Sequence, residues 1–131
     1  MPAIEATAGD PVTPEFLDAF AAAWNRHDAD AIMAMMTPDC VMCLVAGPGK
    51  EGARSEGQAG VKAAVEAVFA RVPDVQWRNA RHFIAGDRGV TEWTMTGTTA
   101  DGQRIEANGC DVFTFRDGLI ALKDSYRKIA G

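Results

Sequence analysis

The 131-residue chain has little histidine, little cysteine and no excess of basic residues. Its formal net charge of −5 argues against a nucleic-acid or anionic-membrane partner, because both require a basic surface. No apolar run approaches the roughly 18 residues of a membrane span. Segment 1–12 has neither a basic region nor an apolar stretch, so we expect a disordered lead rather than a signal peptide and, by default, a cytoplasmic protein.

The few cysteines and histidines lack the spacing of a metal or redox site. Cys40 and Cys43 form a C-x-x-C pair, but the sequence from Cys40 to Val45 is typical of a strand, in which positions three apart point to opposite faces. The only histidines, His27 and His82, provide no second ligand pair. We therefore predict buried or semi-buried structural thiols, no bound metal and no other cofactor.

Apolar spacing indicates three helices and five strands. Helix one begins at Thr13-Pro14, a typical N-cap followed by a first-turn proline. The other predicted helices are Ala29–Met36 and Gln58–Val72, and the predicted strands are Cys40–Val45, Val75–Ala85, Val90–Thr99, Gln103–Phe115 and Leu119–Lys128. Stretch 46–60 is irregular, and its length is typical of a functional loop that borders a pocket.

This order predicts one α+β domain over residues 13–131. Its architecture is a cone-like, curved antiparallel β-sheet with the three helices of the N-terminal half packed on the concave face around a cavity. One acidic residue conflicts with a purely apolar interior. Strand alternation places Asp111 on the same face as Gly109, Phe113 and Phe115.

Three segments resemble the SnoaL-like domains of the nuclear transport factor 2-like superfamily: "FAAAWNRHDADAIMAMMTPDC", "GVTEWTMTGT" and "GCDVFTFRDGLIALKDSY". The resemblance spans roughly Thr13 to Lys128 and implies the cone-like fold. It says little about activity, because the superfamily includes isomerases, cyclases, epoxide hydrolases, binding modules and association domains.

The ketosteroid isomerases of this superfamily use a helix-one tyrosine, a first-strand aspartate base and a third-strand aspartic acid. The matching positions here are Phe20, a position near Leu44, and Asp111. Only the third-strand acid is therefore retained, and the resemblance does not imply the ketosteroid reaction.

Two other catalytic sets are also incomplete. SnoaL-type polyketide cyclases have a histidine at the position of Asp111 and an acid near Ser125. Limonene-epoxide-hydrolase-like enzymes have an arginine and an aspartate where this chain has Trp93 and Met95, and a further acid at Ser125.

The residue that faces Asp111 depends on the register of the last hairpin. A two-residue turn at Asp117-Gly118 places Asp111 opposite Asp124 and makes one continuous apolar face, but it opposes two carboxylates. A three-residue turn places Asp111 opposite Lys123, with Ser125 and Arg127 on the same face. The resemblance favours this second register, which we predict.

The second register leaves an apolar patch on the outer face of the sheet, which consists of Val112, Ile120, Leu122 and Tyr126. Such a patch usually has a partner. Since dimers through this face are common in the family, the resemblance implies a homodimer.

The predicted site consists of a polar group and an apolar wall. Apolar surroundings favour a neutral acid and a nearby ammonium favours a carboxylate, so Asp111 with Lys123 could exchange protons, anchor a ligand or form a structural ion pair. The predicted catalytic residues are Asp111, Lys123 and Ser125. The predicted ligand-binding residues are Phe20, Trp24, Met42, Leu44, Trp93, Met95, Phe113 and His82.

His82 is included because histidine exchanges protons near neutral pH. Alternation along the same strand places Trp77 on the face opposite to His82. Three functions remain open: a cofactor-free enzyme acting on a small hydrophobic substrate by proton transfer or hydration at Asp111, a non-catalytic module that binds a hydrophobic ligand, and a structural association domain.

Overall fold

The computed structural model describes residues 11–129, which form three helices and one six-stranded sheet. The helices are α1 (Pro14–Asn25), α2 (Ala29–Ala34) and α3 (Gly57–Arg71). The strands are β1 (Met36–Cys43), β2 (Arg54–Glu56), β3 (Gln76–Ala85), β4 (Arg88–Thr98), β5 (Arg104–Arg116) and β6 (Leu119–Arg127). The predicted disordered lead falls largely on residues 1–10, outside the described residues.

The predicted α+β cone is confirmed: the helices pack on a curved, unclosed sheet with strand order β2-β1-β6-β5-β4-β3. Neighbouring strands are antiparallel except β1 and β6, which are parallel, so the sheet is mixed. Every helix contributes apolar side chains to the main core. Its central members are Phe16, Leu17, Phe20, Ile32, Met42, Val61, Val65, Phe113 and Ile120.

Helix α1 is defined by local capping and by apolar spacing. Thr13 is the N-cap, and its Oγ1 accepts a hydrogen bond from Phe16 N at 3.1 Å. Phe16, Phe20 and Trp24 recur every four residues and are buried on one face. The helix ends before His27, whose φ of 58° lies in the left-handed region. These features fix the face that α1 presents to the sheet.

The first strand starts earlier than predicted. Helix α2 ends at Ala34, and Met36 already pairs with Ile120 of β6, so the prediction of a helix through Met36 was wrong. Apolar residues at this boundary suit a helix or a buried strand equally well. The stretch from residue 46 to 60 is also less irregular than expected, because β2 and the start of α3 lie within it.

The β5–β6 hairpin combines features of both predicted registers. Its turn has two residues, with φ of 56° at Asp117 and 73° at Gly118, and it pairs Arg116 with Leu119. Beyond the next pair the register shifts by one residue, leaving Ala121 without a partner on β5. Ala121 therefore forms a β-bulge, which reverses the facing of the rest of β6.

Asp111 consequently pairs with Ser125, so the prediction that it lies opposite Lys123 was wrong, as was the alternative with Asp124. The faces nevertheless follow the second register. Lys123 and Ser125 are buried beside Asp111, whereas Asp124 bonds to the exposed Tyr126 at 3.0 Å.

The bulge also changes the outer face. Ile120 precedes the bulge, pairs with Phe115 and is fully buried, so the prediction that it lies on the outer face was wrong. Val112 and Leu122 are half-buried, and Tyr126 is 56% exposed. The outer apolar patch is therefore smaller than the sequence indicated.

A second bulge lies in β3. The register shifts between Arg78 and Arg81, and Asn79 has a φ of 61°. The bulge turns Trp77 inward, where its ring lies 5.2 Å from that of Trp24. The prediction that Trp77 and His82 lie on opposite faces was wrong, because a bulge between two positions reverses their relative facing.

Candidate functional site

A cavity of about 900 Å³ lies between the helices and the sheet. All three tryptophans of the chain, Trp24, Trp77 and Trp93, line it. The other apolar lining residues include Leu44, Val68, Val72, Met95 and Ile105. Ala46 and Ala53, from the stretch predicted to border a pocket, also line it. This volume is typical of sites that bind small molecules.

The inner polar group is built around Asp111 of β5. Its Oδ1 accepts a hydrogen bond from Ser125 Oγ at 2.6 Å and lies 3.1 Å from Lys123 Nζ. Its Oδ2 accepts a hydrogen bond from Trp93 Nε1 at 3.2 Å. Three donors on β4 and β6 therefore hold both carboxylate oxygens in fixed positions.

The ammonium group of Lys123, like the carboxylate of Asp111, has several polar partners. Its Nζ donates to Ser125 Oγ at 3.0 Å and lies 4.5 Å from the centre of the Trp24 ring, which is within cation–π range. The side chains of Lys123 and Asp111 are only 8% and 12% exposed. A buried ion pair of this kind leaves a costly unpaired charge when either partner is removed.

Asp111 lies behind the cavity rather than at its surface. It lines a separate pocket of about 30 Å³ together with Phe20, Phe113 and Thr91. That volume is enough for a water molecule but not for a substrate. Lys123 and the tryptophans line both spaces, whereas Ser125 lines only the large cavity. A ligand in the large cavity therefore meets Lys123 and Ser125 before it meets Asp111.

Charged side chains also lie on the wall of the large cavity. Arg71, Lys123 and Arg127 are cationic, and Asp101 is the carboxylate of the lining. A hydrogen bond from the Thr99 hydroxyl lowers the pKa of Asp101, which favours its charged form.

The structure brings together most of the predicted site residues. Asp111, Lys123 and Ser125 are in mutual contact. Of the predicted ligand-binding residues, Trp24, Leu44, Trp93 and Met95 line the large cavity, and Phe20 and Phe113 line the inner pocket.

Two predicted ligand-binding residues lie elsewhere. Met42 is fully buried in the main core and lines neither space. His82 bonds to Thr91 Oγ1 through Nδ1 and to Asp18 Oδ1 through Nε2, each at 2.8 Å. These bonds join α1 to the sheet, which is a structural arrangement.

Trp77 and Arg127 line the cavity but were not predicted as site residues. Alternation placed Trp77 on the face opposite His82, and the signal for the bulge that turns it inward was an asparagine in "RNAR", a residue type that adopts positive φ more readily than most. The second register had placed Arg127 on the same face as Ser125, two residues away, but Arg127 was not included among the predicted site residues.

The cysteines are separate from this site. Cys40 and Cys43 are buried and not bonded to each other, and burial raises the pKa of both thiols. Within residues 11–129 no cluster of three or more histidine, cysteine or acidic side chains could hold a metal ion. No helix in that range is both long and apolar enough to cross a membrane.

Comparison with solved structures supports the architecture. A protein from Xanthomonas campestris pv. campestris, predicted to be a polyketide cyclase, is 25% identical with a TM-score of 0.75, over 85% of this chain and 86% of that one. TerC, co-crystallised with polyporic acid, is 24% identical with a TM-score of 0.73, and the match covers 87% of this chain and 89% of TerC. A third structure is that of a Catenulispora acidiphila DSM 44928 protein with a ketosteroid isomerase-like fold, in complex with trimethylamine. It is 21% identical with a TM-score of 0.77, and the match covers 88% of this chain and 86% of that one.

Comparison with curated protein sequences finds no match. The model of the SnoaL-like domain family, however, matches residues 17–123, which is most of the chain and includes most of α1 together with Asp111 and Lys123. The chain therefore belongs to the SnoaL-like domain family.

Proposed function

We propose that the protein is a cofactor-independent enzyme of the isomerase or cyclase type that transfers protons on a small apolar substrate. The observation that supports this most strongly is the fixed Asp111 carboxylate, which is bonded to Ser125 and Lys123, two residues on the wall of a tryptophan-lined cavity. A predicted polyketide cyclase and a protein crystallised with polyporic acid share the fold.

The geometry suggests a proton relay rather than direct attack by Asp111. Ser125 Oγ accepts the proton that leaves a carbon next to a substrate carbonyl, while its own proton passes to Asp111 Oδ1, 2.6 Å away. The substrate is then an enolate and Asp111 a neutral acid. The reverse transfer returns the proton to another carbon. Alternatively, the enolate carbon adds to a second carbonyl group of the substrate and closes a ring, and the alkoxide formed as the C=O π bond breaks takes the proton back from Asp111 through Ser125.

Lys123 has an electrostatic role in this scheme. Its ammonium group lies 3.0 Å from Ser125 Oγ and lines the cavity, so it can lie close to the oxygen on which the negative charge develops. Ser125 and Lys123 are thus the proposed catalytic residues, and Asp111 acts through Ser125 as the proton store.

Exchange of α-protons tests this function without knowledge of the product. In D₂O, wild-type protein should accelerate deuterium incorporation into apolar cyclic ketones such as 1-tetralone. Asp111→Asn and Ser125→Ala should each lower the rate by about 10²–10⁴-fold, the usual contribution of a general acid or base. One-dimensional proton NMR measures the exchange, and circular dichroism confirms that each variant is folded.

Asp124→Asn is the matched control, because it removes the same charge from the outer face and should exchange like wild type. Unchanged exchange in Asp111→Asn would rule out the relay. Wild-type protein that binds these ketones without exchanging their protons would instead support the non-catalytic binding module.

We also propose that the protein forms a homodimer through the outer face of the sheet. Tyr126 and Phe83 are 56% and 51% exposed there, which is high for large apolar side chains. Light scattering should give twice the 14.0 kDa chain mass. Tyr126→Lys should shift the protein toward the monomer, whereas Ala67→Lys, on the exposed side of α3, should not. A monomeric wild type would refute this proposal.

A further inference from the structure

The geometry points to an anionic ligand: we infer that the cavity binds a compact apolar molecule with one carboxylate or equivalent anionic group, and that Arg127 binds that group. This inference rests on the proposed small-molecule function and specifies the substrate class of the same site.

The charge of the cavity wall differs in sign from that of the whole protein. The chain has a net charge of −5, yet the lining contains three cationic side chains and one carboxylate. Asp111, behind the wall, compensates Lys123, so the remaining Arg71, Arg127 and Asp101 leave one net positive charge. A positive, largely apolar cavity in an acidic protein favours ligands that are both apolar and negative.

Arg127 lacks the ionic partner that Lys123 has. Within residues 11–129 its side chain makes one hydrogen bond, from Nη1 to Met95 Sδ at 3.4 Å, and no carboxylate lies within 4.0 Å of it. A thioether is a weak acceptor, whereas a guanidinium has five donors. Arg127 is half-buried, and its guanidinium can therefore form a bidentate pair with an incoming carboxylate.

The position of Arg127 sets the length of the ligand. Every second residue of β6 lies on the inner face, namely Lys123, Ser125 and Arg127. Residues two apart on a strand are separated by about 7 Å. A ligand whose carboxylate is bound by Arg127 would thus place the far side of a single ring beside Ser125 Oγ. That separation suits an aromatic or alicyclic acid whose reacting carbon lies across the ring from its anionic substituent.

A cationic ligand is the main chemical alternative, because three tryptophans could surround an ammonium group. The Trp24 ring, however, already has Lys123 Nζ at 4.5 Å from its centre. A second cation in this cavity would be repelled by Lys123 and Arg127. The charge of the wall therefore favours the anion.

Calorimetric titration with three matched probes tests the inference: 2-naphthoate, neutral 2-naphthylmethanol and cationic 2-naphthylmethylammonium. Wild-type protein should bind naphthoate about tenfold or more tightly than the alcohol, which is the usual effect of a charge-assisted pair. The cation should bind most weakly. Arg127→Gln should abolish the preference for naphthoate and leave the affinity for the alcohol unchanged, and Arg127→Lys should retain part of it.

Lys128→Gln is the matched control, because it removes one positive charge from the neighbouring exposed residue and should leave all three affinities unchanged. Three results overturn the inference alone: an alcohol affinity equal to that for naphthoate, tightest binding of the cation, or equal weakening of all probes by Arg127→Gln. If wild-type protein binds none of the three probes, the inference and the proposed small-molecule function both fail.

Discussion

Asp111→Asn should lower the free energy of unfolding by about 3–5 kcal/mol, because it leaves the ammonium group of Lys123 buried without a counter-charge. The side chain of Lys123 is 8% exposed, and its Nζ lies 3.1 Å from Asp111 Oδ1. Asparagine preserves the size of the side chain and an acceptor oxygen, so the loss reports charge rather than shape. Urea unfolding followed by circular dichroism measures the change.

A double-mutant cycle separates the ion pair from its surroundings. Lys123→Met removes the buried cation, so Asp111→Asn combined with Lys123→Met should recover much of the stability lost in Asp111→Asn alone. Asp124→Asn, on the outer face, should change stability by no more than about 0.5 kcal/mol. Additive effects of the two inner substitutions would show that Asp111 and Lys123 do not interact energetically.

Gly109→Ala should destabilise the protein by about 1–3 kcal/mol through overpacking. A Cβ atom at this position would lie 2.3 Å from the backbone oxygen of Tyr126 and 2.6 Å from the Trp93 ring. The backbone atom cannot move without shifting β6, and a displaced Trp93 would lose its hydrogen bond to Asp111. Gly109 therefore allows the close approach that positions the polar group.

Gly60→Ala is the matched control: the same substitution should stabilise the protein here rather than destabilise it. Gly60 lies in α3, and no atom lies within 4 Å of an added Cβ there. Alanine should stabilise the helix by about 0.5–1 kcal/mol.

In Gly109→Ala the indole N–H signal of Trp93 should also shift in a ¹H–¹⁵N NMR spectrum. Unchanged stability with an unchanged Trp93 signal would contradict the packing described for Gly109.

Most elements of the fold are readable from the sequence because they have strong local signals, whereas β2 and the boundary between α2 and β1 do not. Thr13-Pro14 and the spacing of Phe16, Phe20 and Trp24 specify α1, and glycine turns separate the long strands. The placement of Asp111 on the inner face follows from strand alternation alone. These signals involve residues near one another in the chain.

The partners of Asp111 were less predictable, because two bulges decide them. Ala121 shifts the last hairpin by one residue and brings Ser125 opposite Asp111, and Asn79 turns Trp77 into the cavity. Ala121 has no turn or bulge signature in the sequence. A bulge of this kind is specified by long-range packing, here by the burial of both Ile120 before it and Lys123 after it.

The most direct test of the central proposal is a crystal structure of the protein after exposure to a cell extract, with the cavity inspected for bound molecules. We expect continuous ligand density between Trp24, Trp77 and Trp93, with a polar atom about 3 Å from Ser125 Oγ or Lys123 Nζ. A cavity that contains only ordered water, or one closed by the side chains of Trp93 and Met95, would contradict a small-molecule function.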